Sequence, residues 1–117
     1  MSEAEACVFC KVARGKLPAY ILHKDDHVVA FHDINPQAPV HVLVVPVKHI
    51  QDLESIEGED GDIVTKLFRV ATKVAGDLRF SKNGYRLVLN NGQGAGQIVP
   101  HVHLHMLSGR RFLWPPG

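Results

Sequence analysis

The segment that most constrains the fold of this chain is residues 100–107, in which histidine alternates with apolar residues. Such alternation is typical of a half-buried β-strand, whose successive side chains point to opposite faces. His101, His103 and His105 would then lie on one face, with neighbouring rings roughly 6 to 7 Å apart. Because imidazoles donate, accept, attack and bind metals near neutral pH, this pattern predicts a reactive row of histidines. The alternative is a solvated strand face, or a chance metal site, without chemistry.

Size and composition indicate one globular domain that works inside the cell. The chain has 117 residues, 45% of them hydrophobic, and a formal charge of +1. Its charges are mixed without a basic stripe, so we expect no nucleic-acid partner. An apolar run of about 20 residues and a signal-peptide core are both missing, which predicts no membrane association. We expect a cytoplasmic protein, also nuclear in a eukaryotic cell, whose two cysteines are thiols or metal ligands rather than a disulfide.

The rest of the chain alternates short β-prone runs with one long amphipathic segment. Its apolar residues recur at helical spacing and predict a helix that supplies only core packing. They are Ile63, Val64, Leu67, Phe68, Ala71, Val74, Ala75 and Leu78. The predicted elements are a short helical turn before Gly15, a hairpin of residues 19–23 and 28–32, a buried central strand at 41–47 that ends or bulges at Pro46, the helix from Asp60 to about Arg79, and strands at 85–90 and 100–107.

This order predicts an α+β fold, an antiparallel sheet with one main helix on a face. A single domain would cover residues 1–117, with a flexible N-terminus at 1–6 and an extended, proline-stiffened tail at 110–117. A small domain of this kind would gain stability from an oligomeric interface.

Two further motifs are candidates for ligand binding. Cys7 and Cys10 have the spacing of half a zinc site, which His49 and His101 could complete; the alternative is two small buried residues. The glycine-rich run 91–97 joins strand to strand and opens no helix, so a dinucleotide-binding loop is rejected. It could form a nest of backbone N–H groups for an anion, or be a plain hairpin loop.

Motifs along nearly the whole chain resemble the histidine triad (HIT) family, and within it the histidine triad nucleotide-binding (Hint) branch. The resemblance is carried by residues 30–34, 36–41, 48–50, 85–90, 101–107 and 114–117. It implies a HIT-like fold, with the sheet extended across a homodimer. It also implies a hydrolase of purine nucleoside phosphoramidates and aminoacyl adenylates, which releases a nucleoside monophosphate.

The resemblance implies a role for each matching residue. His103 would be the nucleophile that carries a nucleotidyl intermediate, His105 would hydrogen-bond to the phosphate or the leaving group, and His41 would orient His103. Cys7, Cys10, His49 and His101 would hold a structural zinc, whereas catalysis would need no cofactor. The implied substrate contacts are phosphate binding by Asn90, Gly96, Gln97 and Ile98, ribose binding by Asp33, a base pocket of Phe9, Leu17, Phe31 and Ile34, a further substrate contact at His32, and an approach of Trp114 to the partner subunit's site.

One position departs from the family pattern. The family has a small hydroxyl residue after the glutamine, where this chain has Ile98, so a hydroxyl contact near the leaving group is lost. This departure keeps open a purine nucleotide-binding scaffold with little turnover. Independently of it, a metallohydrolase that uses the three histidines as catalytic zinc ligands is a further alternative.

Overall fold

The computed structural model describes residues 3–117 and contains a five-stranded antiparallel sheet with one main helix. The α+β prediction is confirmed, and extension of the sheet across a homodimer stays a prediction. The helices are α1 (Glu3–Ala6), α2 (Val8–Ala13) and α3 (Asp60–Asp77); the strands are β1 (Ile21–Lys24), β2 (Val28–His32), β3 (Val40–Pro46), β4 (Arg86–Val88) and β5 (Leu104–Ser108). Two 3₁₀ turns, Leu53–Ser55 and Gln93–Ala95, lie in the connections.

The strands follow the order β1-β2-β3-β5-β4, which places β3 at the centre of the sheet. Every residue of β3 after Val40 is buried, as predicted for this strand. The pairing with β2 extends to Pro46, where β3 ends, and just beyond it the Val47 N–H donates to the His27 carbonyl at 2.8 Å. The edge strand β4 covers only three residues, shorter than the predicted run 85–90.

Both faces of the sheet are covered, each by a different helix. On one face α3 packs against alternate strand residues such as Ala30, Val44 and Met106. On the other face α2 packs against the residues between them, including Phe31 and Leu43. Because strand side chains alternate between faces, this arrangement accounts for strands that are apolar at nearly every position.

The main helix differs from its prediction in its stripe and its end. Val70, absent from the predicted stripe, is buried, whereas Phe68 and Leu78 are 48% and 39% exposed. The helix ends at Asp77 rather than near Arg79, because Arg79 adopts a left-handed conformation with φ of 64°.

The prediction of a continuous histidine strand at 100–107 is wrong in its first half. β5 begins at Leu104, so His105 alone among the three histidines lies on a strand. The preceding segment leaves the sheet because its hydrogen bonds go elsewhere: the Val102 N–H donates to the Ile50 carbonyl, at 2.7 Å. The alternation of faces persists nevertheless: Val102, Leu104 and Met106 lie in the core under α3, whereas the rings of His101 and His103 both contact Phe9 on the α2 side. The His103 and His105 ring centroids are 4.9 Å apart, closer than the strand spacing predicts.

The chain ends bear on two other expectations. Of the predicted flexible N-terminus, residues 1 and 2 lie outside the described residues, and Glu3–Ala6 form α1. The tail at 110–117 contains no helix or strand, and the Arg86 guanidinium donates to the carbonyl of Leu113 within it. Among residues 3–117, no helix is both long and apolar enough to span a bilayer.

Candidate active site

His103 is held as a neutral imidazole with one free ring nitrogen. Its Nδ1 lies 2.7 Å from the backbone carbonyl of His101, and because a carbonyl only accepts, Nδ1 carries the proton. Its Nε2 is then unprotonated. Burial lowers the pKa of His103 below its ordinary value of 6.5, with partial opposition from this hydrogen bond and from Asp33. A neutral imidazole with an unprotonated nitrogen is the form that can act as a nucleophile.

A hydrogen-bond chain fixes the tautomer of His105. The backbone N–H of Gln37 donates to Nδ1 of His41 at 3.0 Å, so the proton of neutral His41 is on Nε2. That Nε2 lies 2.9 Å from Nδ1 of His105, to which it donates. Neutral His105 therefore carries its own proton on Nε2.

This contact corrects the expectation that His41 orients His103. In the antiparallel pairing, His41 lies opposite Leu107. His105 is two residues before Leu107 on the same face of β5, and is therefore the nearest histidine. His103 precedes the strand and lies out of register.

Burial also sets the charge of this histidine pair. It lowers the pKa of His105 to about 4, with smaller contributions from His103 and His41 and opposition from Asp33. It lowers the pKa of His41 as well, although the Asp33 carboxylate, 3.4 Å from His41 Nε2, opposes the shift. Near pH 7 both rings are neutral, so His105 acts as a hydrogen-bond donor and is not a protonated imidazolium.

A mainly apolar cavity of about 670 Å³ lies beside this pair, a volume within the usual range for small-ligand sites. The edge-on rings of Phe9 and Phe31, with centroids 5.9 Å apart, belong to its wall. Seven of the predicted substrate residues line it: Phe9, Leu17, Phe31, His32, Asp33, Ile34 and Ile98. The cavity is also lined by His105 and by residues that the sequence analysis missed, namely Val8, Val12, Pro18, Ala19, Asn35, Leu43 and Val99. Val8 and Val12 are one helical turn apart beside Phe9, a spacing that could have revealed them.

The remaining predicted substrate residues do not line this cavity. Within the described chain, Asn90, Gly96, Gln97 and Trp114 are absent from its wall. The side chain of Gln97 is committed to the glycine-rich loop: its Oε1 accepts from the Gly92 N–H at 2.8 Å, and its Nε2 donates to the carbonyls of Gln51 and Val99. Gly92 and Gly96 have φ near +90°, a conformation that favours glycine. The hydrogen bonds of the Gln97 side chain thus stabilise the loop that leads to Ile98.

The predicted metal ligands converge in a separate cluster. Nδ1 of His101 lies 3.3 Å from Cys7 Sγ and 3.2 Å from His49 Nδ1, and Cys10 Sγ lies 3.2 Å from His49 Nδ1. Nε2 of His101 donates to the Pro46 carbonyl, which leaves its Nδ1 unprotonated and turned to the cysteines. Burial, followed by the contact with Cys7, raises the pKa of Cys10 to about 11 when no metal is bound.

This donor set fits a tetrahedral zinc ion. Zinc–ligand bonds of 2.0–2.3 Å at tetrahedral angles put ligand atoms roughly 3.3 to 3.8 Å apart. The close N–N and N–S separations run from 3.2 to 3.5 Å, and all four ligand atoms lie within 4.8 Å of one another. The His101 ring is turned to this cluster, away from the one formed by His41, His105 and Asp33.

The five-stranded antiparallel sheet, with His105 at an apolar cavity and His103 and His41 next to it, has the architecture of a histidine triad protein. Residues 14–112 match the HIT domain, and the chain belongs to the HIT family.

Individual relatives agree with this assignment over nearly the whole chain. An uncharacterized HIT-like protein from Synechocystis sp. is 47% identical over 114 residues, covering 97% of this chain and 99% of the relative. The crystal structure of a HIT family hydrolase from Legionella pneumophila has a TM-score of 0.91 at 44% identity, covering 95% of this chain and 99% of that one. A histidine triad nucleotide-binding protein from Candida albicans has a TM-score of 0.80 at 32% identity, with 95% and 84% coverage.

Proposed function

We propose that this chain hydrolyses purine nucleoside phosphoramidates and aminoacyl adenylates, releasing a nucleoside monophosphate through a nucleotidyl intermediate on His103. The observation that carries the proposal is the pair of opposite tautomers: His103 has an unprotonated Nε2, and its neighbour His105 has a protonated one. One nitrogen can attack a phosphorus atom while the other meets developing negative charge. The hydrolase from Legionella and the nucleotide-binding protein from Candida are consistent with this reaction class.

In the first step, Nε2 of His103 forms a bond to phosphorus as the bond from phosphorus to the leaving atom breaks. In an aminoacyl adenylate the leaving atom is an oxygen, which departs with the electron pair as the carboxylate of the amino acid. In a phosphoramidate it is a nitrogen that has taken a proton from solvent and departs as a neutral amine with the electron pair of the broken bond. The Nε2–H of His105 donates to this developing lone pair or to a phosphate oxygen. The positive charge on the phosphorylated imidazole strengthens the hydrogen bond from His103 Nδ1 to the His101 carbonyl.

In the second step, water attacks phosphorus and the electron pair of the phosphorus–Nε2 bond returns to His103. One proton of the water stays on the nucleotide phosphate and the other passes to solvent. The enzyme is thereby restored with His103 neutral, and both steps balance without a redox partner.

The cavity suits the nucleoside part of such a substrate. Phe9 and Phe31 offer aromatic edges and faces to a base. One oxygen of Asp33, Oδ1, accepts from the Asn35 N–H, and the carboxylate retains acceptor capacity for ribose hydroxyls. We assign the phosphate to the mouth between His105 and Ile98, both of which line the cavity.

We also propose that Cys7, Cys10, His49 and His101 bind a structural zinc ion. Bound zinc would link α2 to the segment that precedes β5. Phe9 lies between the two cysteines, and its ring centroid is 4.9 Å from that of His103. These residues thus connect the proposed metal centre with the wall of the cavity and the attacking histidine, without a role for the metal in the reaction.

The homodimer is likewise a proposal, supported by the open edge of β4 and by Trp114, whose side chain is 83% exposed. Sedimentation velocity of the purified chain tests it: a monomer at micromolar concentration would contradict the proposal.

Incubation with adenosine 5′-phosphoramidate tests the catalytic proposal. We expect AMP to form, and His103→Ala to abolish its formation while the variant still binds AMP. Full activity of His103→Ala would refute the mechanism. AMP binding without product over a long incubation would favour the scaffold function, which the lost hydroxyl at Ile98 keeps open.

The metallohydrolase is less well supported, because His101 belongs to the cysteine cluster. Its remaining basis is the group of Asp33, His41 and His105. Loss of chemistry on chelation, with circular dichroism and AMP binding unchanged, would favour it.

A further inference from the structure

Two isoleucines at the cavity are almost fully exposed. Ile34 is 97% exposed beside Asp33, and Ile98 is 91% exposed after the glycine-rich loop. Large apolar side chains that line a cleft and remain open to water are typical of surfaces covered by a ligand. Ile34 lies on the side assigned to the nucleoside, whereas Ile98 lies on the side assigned to the phosphate. The two residues should therefore contact different parts of a substrate.

Ile98 also lines a second groove, of about 390 Å³, that adjoins the cavity. Val8, Ile98 and Val99 border both spaces. We call the second space the Ile98 groove; its lining is Ala6, Cys7, Val8, Gln51, Ile98, Val99 and Pro100. None of these described residues carries a charged side chain, and the groove therefore offers mainly hydrophobic contact.

We propose that the Ile98 groove binds the leaving group and gives the enzyme a preference for apolar amines over amines that carry a second positive charge. The inference rests on the proposed function, since it concerns the amine released in the first step. A phosphorus atom held at the mouth beside Ile98 has the nucleoside on one side, in the cavity. The substituent on the leaving nitrogen can then extend along the groove, against Val8 and Val99.

Ile98 also borders a third, polar space, which is lined by Asp52, Gln93 and Gln97 among others. Oδ1 of Asp52 accepts from the N–H and the hydroxyl of Ser55. The Gln97 amide is committed to the loop, as described above. Oδ2 of Asp52 keeps acceptor capacity, so this space suits a cationic group, whereas an apolar substituent gains hydrophobic contact only in the Ile98 groove. We therefore assign an apolar leaving group to the groove.

Three adenosine 5′-phosphoramidates test the proposal: the parent compound that releases ammonia, one that releases hexylamine and one that releases 1,5-diaminopentane. The last two have chains of equal length, so they differ mainly in the terminal charge. Each methylene moved from water to an apolar surface contributes roughly fourfold. The terminal methyl of the hexyl chain and the methylene beside it can be covered, whereas in the aminopentyl chain the ammonium stays hydrated and holds its neighbouring methylene in water. Two carbons covered in one compound only should make kcat/KM favour the hexyl compound by about tenfold or more.

Ile98→Ser is the decisive variant, because the exposed side chain contributes little to folding. It should reduce the preference for the hexyl compound by about five- to tenfold. Ile34→Ser is the matched control: it removes an equally exposed isoleucine from the same cavity, outside the groove. It should lower kcat/KM for all three compounds by the same factor and leave the preference unchanged.

The outcomes separate the two proposals. If the parent compound is not hydrolysed, the proposed function fails. If it is hydrolysed and wild type treats the hexyl and aminopentyl compounds alike, or prefers the charged one, the groove assignment is refuted. It is also refuted if Ile98→Ser retains the full preference, or if Ile34→Ser loses it to the same extent.

Discussion

Replacing His41 with phenylalanine tests whether this residue acts through His105. The variant keeps a ring of similar shape in a site where His41 is 5% exposed, but removes the Nε2–H that lies 2.9 Å from His105 Nδ1. A lost neutral hydrogen bond is worth about 0.5–1.5 kcal/mol, or roughly 2- to 13-fold in rate. His105 could then also adopt the tautomer that is protonated on Nδ1, in which Nε2 presents a lone pair to the substrate instead of an N–H. If the two tautomers were equally populated, the rate would fall by roughly another factor of two.

We therefore expect His41→Phe to lower kcat/KM for adenosine 5′-phosphoramidate by about 5- to 25-fold. His105→Phe removes the donor itself and should cost about 10²- to 10³-fold, as loss of an oxyanion-type donor does. The double variant should be no slower than His105→Phe, because His41 then has nothing to orient. His41→Gln, which can keep an N–H donor, should recover part of the loss.

A steady-state assay of AMP release, combined with nitrogen-15 NMR of the histidine rings, measures both parts of the prediction. In wild type the His105 signal should be that of the Nε2–H tautomer, and in His41→Phe it should shift towards a mixture of tautomers. A double variant slowed by the product of the two single effects would refute the reasoning. So would an unchanged tautomer in His41→Phe.

Three further predictions concern metal, pH and packing. Chelation should lower the melting temperature and speed hydrogen exchange in α2, since zinc at Cys10 and its partners would link the helix to the sheet. If mass spectrometry shows that zinc has been removed but the melting curve is unchanged, this prediction is contradicted. Burial puts the pKa of His105 at about 4 and lowers that of His41, both below the unfolded value of 6.5, so the unfolded chain binds protons first as pH falls. The free energy of unfolding should therefore decrease between about pH 6.5 and pH 4, and His105→Phe should flatten this dependence in denaturant titrations. Met106 in β5 is fully buried, so Met106→Ala should lower the free energy of unfolding by about 2–5 kcal/mol. A decrease of less than about 1 kcal/mol in the same titrations would show that the site repacks.

Local patterns predicted the elements of this fold well, because each pattern reflects a contact that the element makes. Apolar residues at helical spacing located α3, and a run of β-branched residues located the central strand. The errors lie where tertiary contacts override the local pattern. Alternation alone could not reveal that Val102 bonds to the Ile50 carbonyl instead of a neighbouring strand, and this bond ends the predicted histidine strand early.

The candidate site was predicted in its residues more than in its geometry. Resemblance to a family named His41, but which imidazole it meets depends on the register of β3 against β5, which the sequence does not contain. For the same reason the side chain of Gln97 could be named but not placed. Its three hydrogen bonds hold the loop together, a role that a motif cannot distinguish from phosphate binding.

Different hydrogen-bond partners separate the chemical tasks of the three imidazoles, although all three lie on the α2 side of the sheet. His101 contacts the cysteines, while its carbonyl fixes the proton of His103 on Nδ1. His105 has its own proton fixed on Nε2 by a different partner, His41. An attacking nitrogen and a donating N–H side by side require opposite tautomers, and two separate hydrogen-bond partners supply them where a uniform row could not.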